Sequence, residues 1–263
     1  MASKTRPGEK ILKAHAFLVY CFLYLPILIL IVFSFNQSQR STVWQGFTLH
    51  WYFSLLNNAE LLQSLKNSLI VGFAATLTST ITGTLAALAL VRYNFRGRSF
   101  FDGLVFLPML VPEIVMGVAL LTLFVGFGIR LSLWTVILSH VAFCSSYVAI
   151  TVRARLQGFT RSLEEAAMDL GADEWATFKK VSLPLMSPGI LAGAMLAFTL
   201  SFDDFVVTFF NAGVGATTLP LKIYSMLKFG VTPEINAIST IMLILTFMLM
   251  VLYDRVQGRE KGL

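Results

Sequence analysis

Long apolar runs alternate with short polar stretches along this chain, and the runs set its organisation. A hydrocarbon core of about 30 Å asks for roughly 20 mostly apolar residues in a helix. Runs at 14–35, 65–91, 103–127, 131–150, 188–210 and 236–253 come close to that length or exceed it. They predict an all-α polytopic membrane protein with six transmembrane helices. The six make one domain over 14–253, between a basic tail at 1–13 and a second tail at 254–263. The first run follows Lys4, Arg6, Lys10 and Lys13, as the core of a signal peptide would. It is long for that role, contains Pro26 and leads into Asn36-Gln37-Ser38-Gln39 without a small-residue cleavage site, so it reads as a retained span. Span two carries Gly72, Ala74, Ala75, Gly83, Ala86 and Ala87, small enough for neighbouring helices to approach closely. Span three contains Pro108 and Pro112, which weaken its helix.

The polar stretches are of two kinds. Residues 36–64, with Trp44, Trp51 and Tyr52, and residues 211–234 read as loops, the first with rings suited to a membrane interface. The stretch Arg161 to Pro184, inside a connecting loop at 156–187, is far more charged. It holds five of the fourteen acids and three of the twenty basic residues, so it belongs in water and is expected to meet a partner. Ser162 with Glu165 reads as a capping box, and Leu163, Ala166, Ala167 and Leu170 form an apolar stripe at helical spacing. Gly171 is placed to end that helix. Asp173 is placed to cap a second short helix through Ala176 to Lys180, with Pro184 and Pro188 closing the unit.

Composition agrees with the runs. Of 263 residues 56% are hydrophobic and 13% charged, and the mean hydropathy is +0.76, values of a polytopic membrane protein. A net charge of +6 and a pI near 9.4 would suit nucleic acid, but the basic residues are scattered among apolar runs and form no stripe. Their placement reports topology. Fifteen of the twenty fall on one set of alternate sides, while Arg40, Lys66, Arg130, Lys222 and Lys228 fall on the other, so both termini and the 156–187 loop are expected in the cytoplasm. Cys21 and Cys144 lie within apolar runs and suggest neither a disulfide nor a metal site. No phosphate-binding Gly-x4-Gly-Lys-Ser/Thr loop occurs, which points away from ATP hydrolysis by this chain. His15, His50 and His140 are isolated, and His140 reads as a hydrogen-bonded interior residue.

Acids within the spans carry the candidate chemistry. A carboxylate at the centre of a spanning helix costs roughly 2.5 to 3.5 kcal/mol on insertion scales, so it usually faces a cavity or a partner. Glu113 lies about ten residues into span three, near the expected middle, and Asp203 and Asp204 lie about 15 residues past Pro188. Neighbours on a helix point about 100° apart. One of the two aspartates is therefore expected to line a path while the other pairs or takes up a proton. Carboxylates in a path favour a cationic substrate, since an anion path would ask for Arg or Lys and none lies deep within a span. Trp44, Tyr147, Phe202, Phe205 and Tyr224 can add cation–π contact.

Glu165-Ala166-Ala167, three residues, Gly171, nine residues and then Val181-Ser182-Leu183-Pro184 resembles the EAA loop of ABC-importer permeases, with Val181 in place of the usual isoleucine. The resemblance implies a type I importer permease fold whose loop docks on a separate ATPase subunit as a coupling helix. Glu164, Glu165, Ala166, Ala167, Gly171, Leu183 and Pro184 would make that contact. Ser34-Phe35-Asn36, Trp44 to Thr48, Trp51-Tyr52, Ser201 to Asp204 and Leu219 to Ser225 extend the likeness over nearly the whole chain. They resemble the permeases of spermidine/putrescine ABC importers, particularly the second of the two permease subunits. What this implies is a bacterial inner-membrane complex with a second permease and two ATPase subunits that hold ATP and Mg, leaving no cofactor on this chain. A soluble polyamine-binding protein would sit outside, periplasmic or extracellular, and Glu113, Asp203, Asp204, Trp44, Tyr147 and Tyr224 would serve the substrate path. A permease for sulfate, ferric iron or an opine stays open, as does a self-sufficient cation channel or secondary carrier. The EAA pattern and the lack of an inverted repeat argue against the latter. A purely structural subunit leaves the three acids unexplained.

Overall fold

The computed structural model describes residues 7–38, 43–157, 162–228, 230 and 232–258. Arg40, Arg161, residues 1–6 of the basic tail, residues 158–160 of the connecting loop and residues 259–263 lie outside the described residues. Among the described residues the chain is helical without strands, apart from one antiparallel bridge between Asn36 and Phe47. Residues 1–59 with 223–244 form one compact unit, and 60–222 with 245–263 form a second.

The first unit opens with α1, Pro7–Phe33, and contains α2, His50–Asn57. After α1 the chain turns around Asn36, which is fully buried. A buried amide must find partners for its donors and acceptors. The Asn36 amide donates to the Val43 carbonyl at 2.7 Å and accepts the Gln45 N–H at 2.9 Å. Its own backbone carbonyl accepts the Trp51 indole at 2.8 Å. Ser34 bonds the Tyr52 hydroxyl at 2.7 Å, and Phe35 stacks on Phe47 with ring centroids 5.3 Å apart. The Ser34-Phe35-Asn36 motif is thus a knot that folds the following loop.

The second unit carries most of the helices. In order come α3, Ala59–Arg92, α4, Arg98–Leu110, α5, Glu113–Gly126, and α6, Leu133–Leu156. Next are α7, Ser162–Asp169, α8, Glu174–Thr177, a π turn over Phe178–Ser182, α9, Leu183–Asp203, and α10, Val206–Asn211. Then come α11, Leu219–Leu227, and α12, Pro233–Gly258, each divided between the two units. Among the described residues five helical stretches are long and apolar enough to cross a membrane, and α4 with α5, bent by 113°, makes a sixth when the pair is taken as one span. The core joins α6 to α9 and α3 through Ala87, Cys144, Val148, Val152, Met186 and Ala197. Here α3 and α6 come so close that a Cβ on Gly83 would lie 2.6 Å from the Ser145 carbonyl oxygen.

Several predicted limits shift for local reasons. The helix α1 starts inside the stretch taken as a tail and ends at Phe33, two residues short of the expected limit. Likewise α3 starts at Ala59 and α6 runs to Leu156, past Arg153 and Arg155. Nothing in these flanks breaks a helix, and long basic side chains let one continue into water. The polar loops hold α2 and α11. Pro108 stays within α4, and the break in span three falls at Val111, extended at ψ 129° because it precedes Pro112. Pro184 and Pro188 do not close the charged unit either. Pro184 follows the π turn directly, and Glu174–Asp203 runs on as one helical stretch of 30 residues through it, with the loss of the Pro184 N–H absorbed beside that turn. The fifth span consequently begins earlier than residue 188 and is interrupted after Asp203.

Candidate functional site

The interruption at the end of α9 builds the site. Asp204 leaves helical geometry at ψ 129°, and its carboxylate folds back over the start of α10. It accepts the Val207 N–H at 3.3 Å, the Thr208 N–H at 2.8 Å and the Thr208 hydroxyl at 2.8 Å. These are the donors that a new helix leaves without intrahelical partners, and a capping aspartate satisfies them. His140 of α6, fully buried, brings Nε2 to 3.2 Å from the same carboxylate and Nδ1 to 2.7 Å from the Ser201 hydroxyl. The Thr208 hydroxyl lies 3.0 Å from the same Nε2, so the geometry suits a proton on Nε2 held between Thr208 and Asp204, with Nδ1 accepting from Ser201. The far end of α10 is held as firmly. The Thr135 hydroxyl donates to the Asn211 carbonyl at 2.8 Å, and the Asn211 amide donates to the Gly117 carbonyl of α5 at 3.2 Å.

The break turns the two aspartates to different tasks. Asp204 keeps only 6% of its side chain exposed, whereas Asp203 is exposed and accepts a 3.2 Å bond from the Thr246 hydroxyl. A cavity of about 340 Å3 lies against both. Glu113 of α5, Tyr147 and Phe143 of α6, and Phe205 also line it. Glu113 is the first residue of α5, exposed at the break after Pro112. Four of the six residues expected along a path therefore surround one cavity, each acid at a helix end where the backbone is interrupted. Among the described residues neither Glu113 nor Asp203 has an ion-pair partner. The other two, Trp44 and Tyr224, belong to the first unit. Trp44 sets its ring edge-on to Phe33, and Tyr224 carries Lys228 Nζ 5.1 Å from its ring centre.

At the other end of the second unit, α7 stops as Gly171 invited. Gly171 takes the left-handed φ of 91°, its N–H bonds the Met168 carbonyl at 2.9 Å, and the Ala172 N–H reaches back to Ala167 at 3.1 Å. This pair of bonds is a Schellman ending. Asp173 then caps α8 by accepting the Ala176 N–H at 2.6 Å. Ser162 is already helical in α7. Glu165, Ala166, Met168 and Leu170 are exposed, Leu170 at 90%. Glu164 turns inward, where Arg92 of α3 and the Ser182 hydroxyl both bond its Oε1. Sequence reasoning missed Arg92, Ser182 and Thr208 and assigned His140 no role in the site. The capping pattern of Asp204 ahead of Val207 and Thr208 is the signal that would have revealed the break.

Comparison with known proteins follows the same lines. Residues 79–259 match the family described as binding-protein-dependent transport system inner membrane component. The chain is 47% identical over 243 residues, 92% of each protein, to the spermidine/putrescine transport system permease protein PotC of Escherichia coli strain K12. It is 42% identical over 231 residues to the putrescine transport system permease protein PotI of the same strain, covering 85% of this chain and 82% of that one. In fold it resembles a chain of a bacterial alginate ABC transporter solved in complex with an alginate pentasaccharide-bound periplasmic protein, with a TM-score of 0.72 at 16% identity over 95% of this chain and 93% of that one. The chain is an all-α permease of the type I ABC-importer fold and belongs to the family of binding-protein-dependent transport system inner membrane components.

Proposed function

We propose that this chain is one permease subunit of an ATP-driven importer that moves polyamines, spermidine or putrescine, into the cytoplasm by alternating access. The observation that carries the substrate class is the pair of exposed acids, Glu113 and Asp203, at helix breaks around one aromatic-lined cavity. A carboxylate and an aromatic face together attract an ammonium group, the face adding roughly 0.5 to 2 kcal/mol. Similarity to the spermidine/putrescine and putrescine permeases supports the same class. Because Asp204 is already saturated by donors, Asp203 and Glu113 would take the amines. The contacts should be transient, since a path must release what it admits. A second permease would complete the path. Two ATPase subunits would hold ATP and Mg, and a polyamine-binding protein would deliver substrate on the far side. The exposed face of α7 with Glu165 would meet an ATPase, and on that reading both termini would lie in the cytoplasm.

The test is uptake of labelled spermidine and putrescine into proteoliposomes holding this chain with its partner subunits and binding protein. Uptake that requires ATP and falls when Glu113 and Asp203 are both made amides is the expected result. An ATPase-active complex that imports neither amine would discard the substrate, and uptake without the ATPase subunits would discard the importer.

A further inference from the structure

Glu164 is out of place in its helix. In α7 most side chains face water, yet the Glu164 side chain is only 15% exposed. Its Oε1 accepts from two donors that belong to different elements, Arg92 at the last position of α3 and Ser182 at the last position of the π turn. Ser182 is itself buried, at 2% exposure. One carboxylate oxygen thus ties α7 both to a long spanning helix and to the root of α9.

The root of α9 is also poor in backbone bonds. Pro184 and Pro188 bring no N–H, so the carbonyls four residues before them lose their usual helical donor. The Ser187 hydroxyl serves the Pro184 carbonyl instead, at 2.8 Å. Leu183 closes the π turn by donating to Phe178, five residues back. Beyond this loosened root the helix continues without interruption to Asp203, the carboxylate on the cavity. The whole stretch from Glu174 to Asp203 has 30 residues, or about 45 Å at 1.5 Å per residue.

We infer, on the proposed reading of α7 as the ATPase-docking helix, that Arg92, Glu164 and Ser182 form the joint through which a displacement of α7 is passed to α9 and so to Asp203. Arg92 and Ser182 are positioning residues. They touch neither the proposed substrate nor the docking face, and act by keeping Glu164 seated. A charge-assisted bond near the surface suits a joint, because it holds direction while remaining able to break and re-form. The 21 residues of α9 supply the lever, and the proline-loosened root supplies its give.

The experiment uses the full complex with its binding protein in proteoliposomes and measures polyamine imported per ATP hydrolysed. Ser182→Ala removes one hydroxyl, and Arg92→Gln removes one charge. Each is expected to keep ATP hydrolysis near the parent rate while the imported-to-hydrolysed ratio falls about three- to tenfold. The exchange Arg92→Glu with Glu164→Arg restores the pair with its polarity reversed and should recover most of the ratio. A ratio unchanged in both single variants would overturn the joint. Equal loss of hydrolysis, transport and subunit assembly in Ser182→Ala, without recovery in the exchange, would reduce the three residues to a folding contact and also overturn it. A parent complex that hydrolyses ATP but shows no ATP-driven uptake would strike the importer reading first, and the joint with it.

Discussion

The two ends of α9 each hold a carboxylate from a neighbouring element, and they hold it in opposite ways. At the root, Glu164 is shared between a partly buried Arg92 and a serine, and its side chain still meets some water. At the tip, Asp204 is shut in with a fully buried histidine and the first amides of α10. An ion pair that still meets water contributes about 0 to 1 kcal/mol, whereas leaving a buried carboxylate short of a donor costs about 1 to 3 kcal/mol and more for a full charge. The same chemical group therefore makes a joint that can open at one end and a fixture that cannot at the other. What the difference teaches is that the break beside the cavity is built permanently into the fold. On the proposed joint, movement enters from the root.

The comparison is most severely challenged at the tip. His140→Ala leaves the Asp204 carboxylate buried without its ring donor and should destabilise the chain by about 3 kcal/mol, seen as a lower melting temperature of the purified complex in detergent. Unchanged melting would erase the contrast between fixture and joint. Asp203→Asn sits one residue away and should behave differently. Its carboxylate is exposed, so melting should stay put while the KM for polyamine uptake rises about tenfold, or about 1.4 kcal/mol. A melting change as large as that of His140→Ala would mean that both aspartates are structural. The smallest effect belongs to the root. Gly171→Ala forces a Cβ into a left-handed φ of 91° with no atom within 4 Å to clash, so backbone strain alone acts, about 1 kcal/mol. Amide exchange in α7 should quicken about fivefold while that in α9 is unaltered, and equal acceleration in both would show that the two are one rigid body.

How much of this was legible depends on the range of the interaction. The spans are readable because hydrocarbon enforces length and apolarity locally, and α7 with its Gly171 ending is readable because capping is decided within a few residues. Span limits were misjudged where charged flanks such as Ala59–Gln63 and Arg153–Leu156 stay helical in water. The break after Asp203 contains neither Pro nor Gly, so only the capping sense of Asp204 marks it. Arg92 and Glu164 lie 72 residues apart, and His140 and Thr208 lie 68 apart. Nothing in either neighbourhood announces such a partner, because these pairs exist only once α3 has met α7 and α6 has met α10.

The π turn at Phe178–Ser182 has a bearing on the numbering of the cavity itself. A π turn is one residue more than an α-helix needs, an insertion absorbed without breaking the rod. Every side chain downstream is offset in azimuth by about 100° from where an uninterrupted α-helix would have put it. Asp203 on the cavity wall and α8 at the start of the stretch are set relative to each other by that surplus residue, some twenty positions before the acid. Deleting Lys179 or Lys180 would yield a more regular helix and turn α8 by that angle relative to a tip held in place, so the length of this segment sets how the charged connecting loop is presented to whatever lies beneath it.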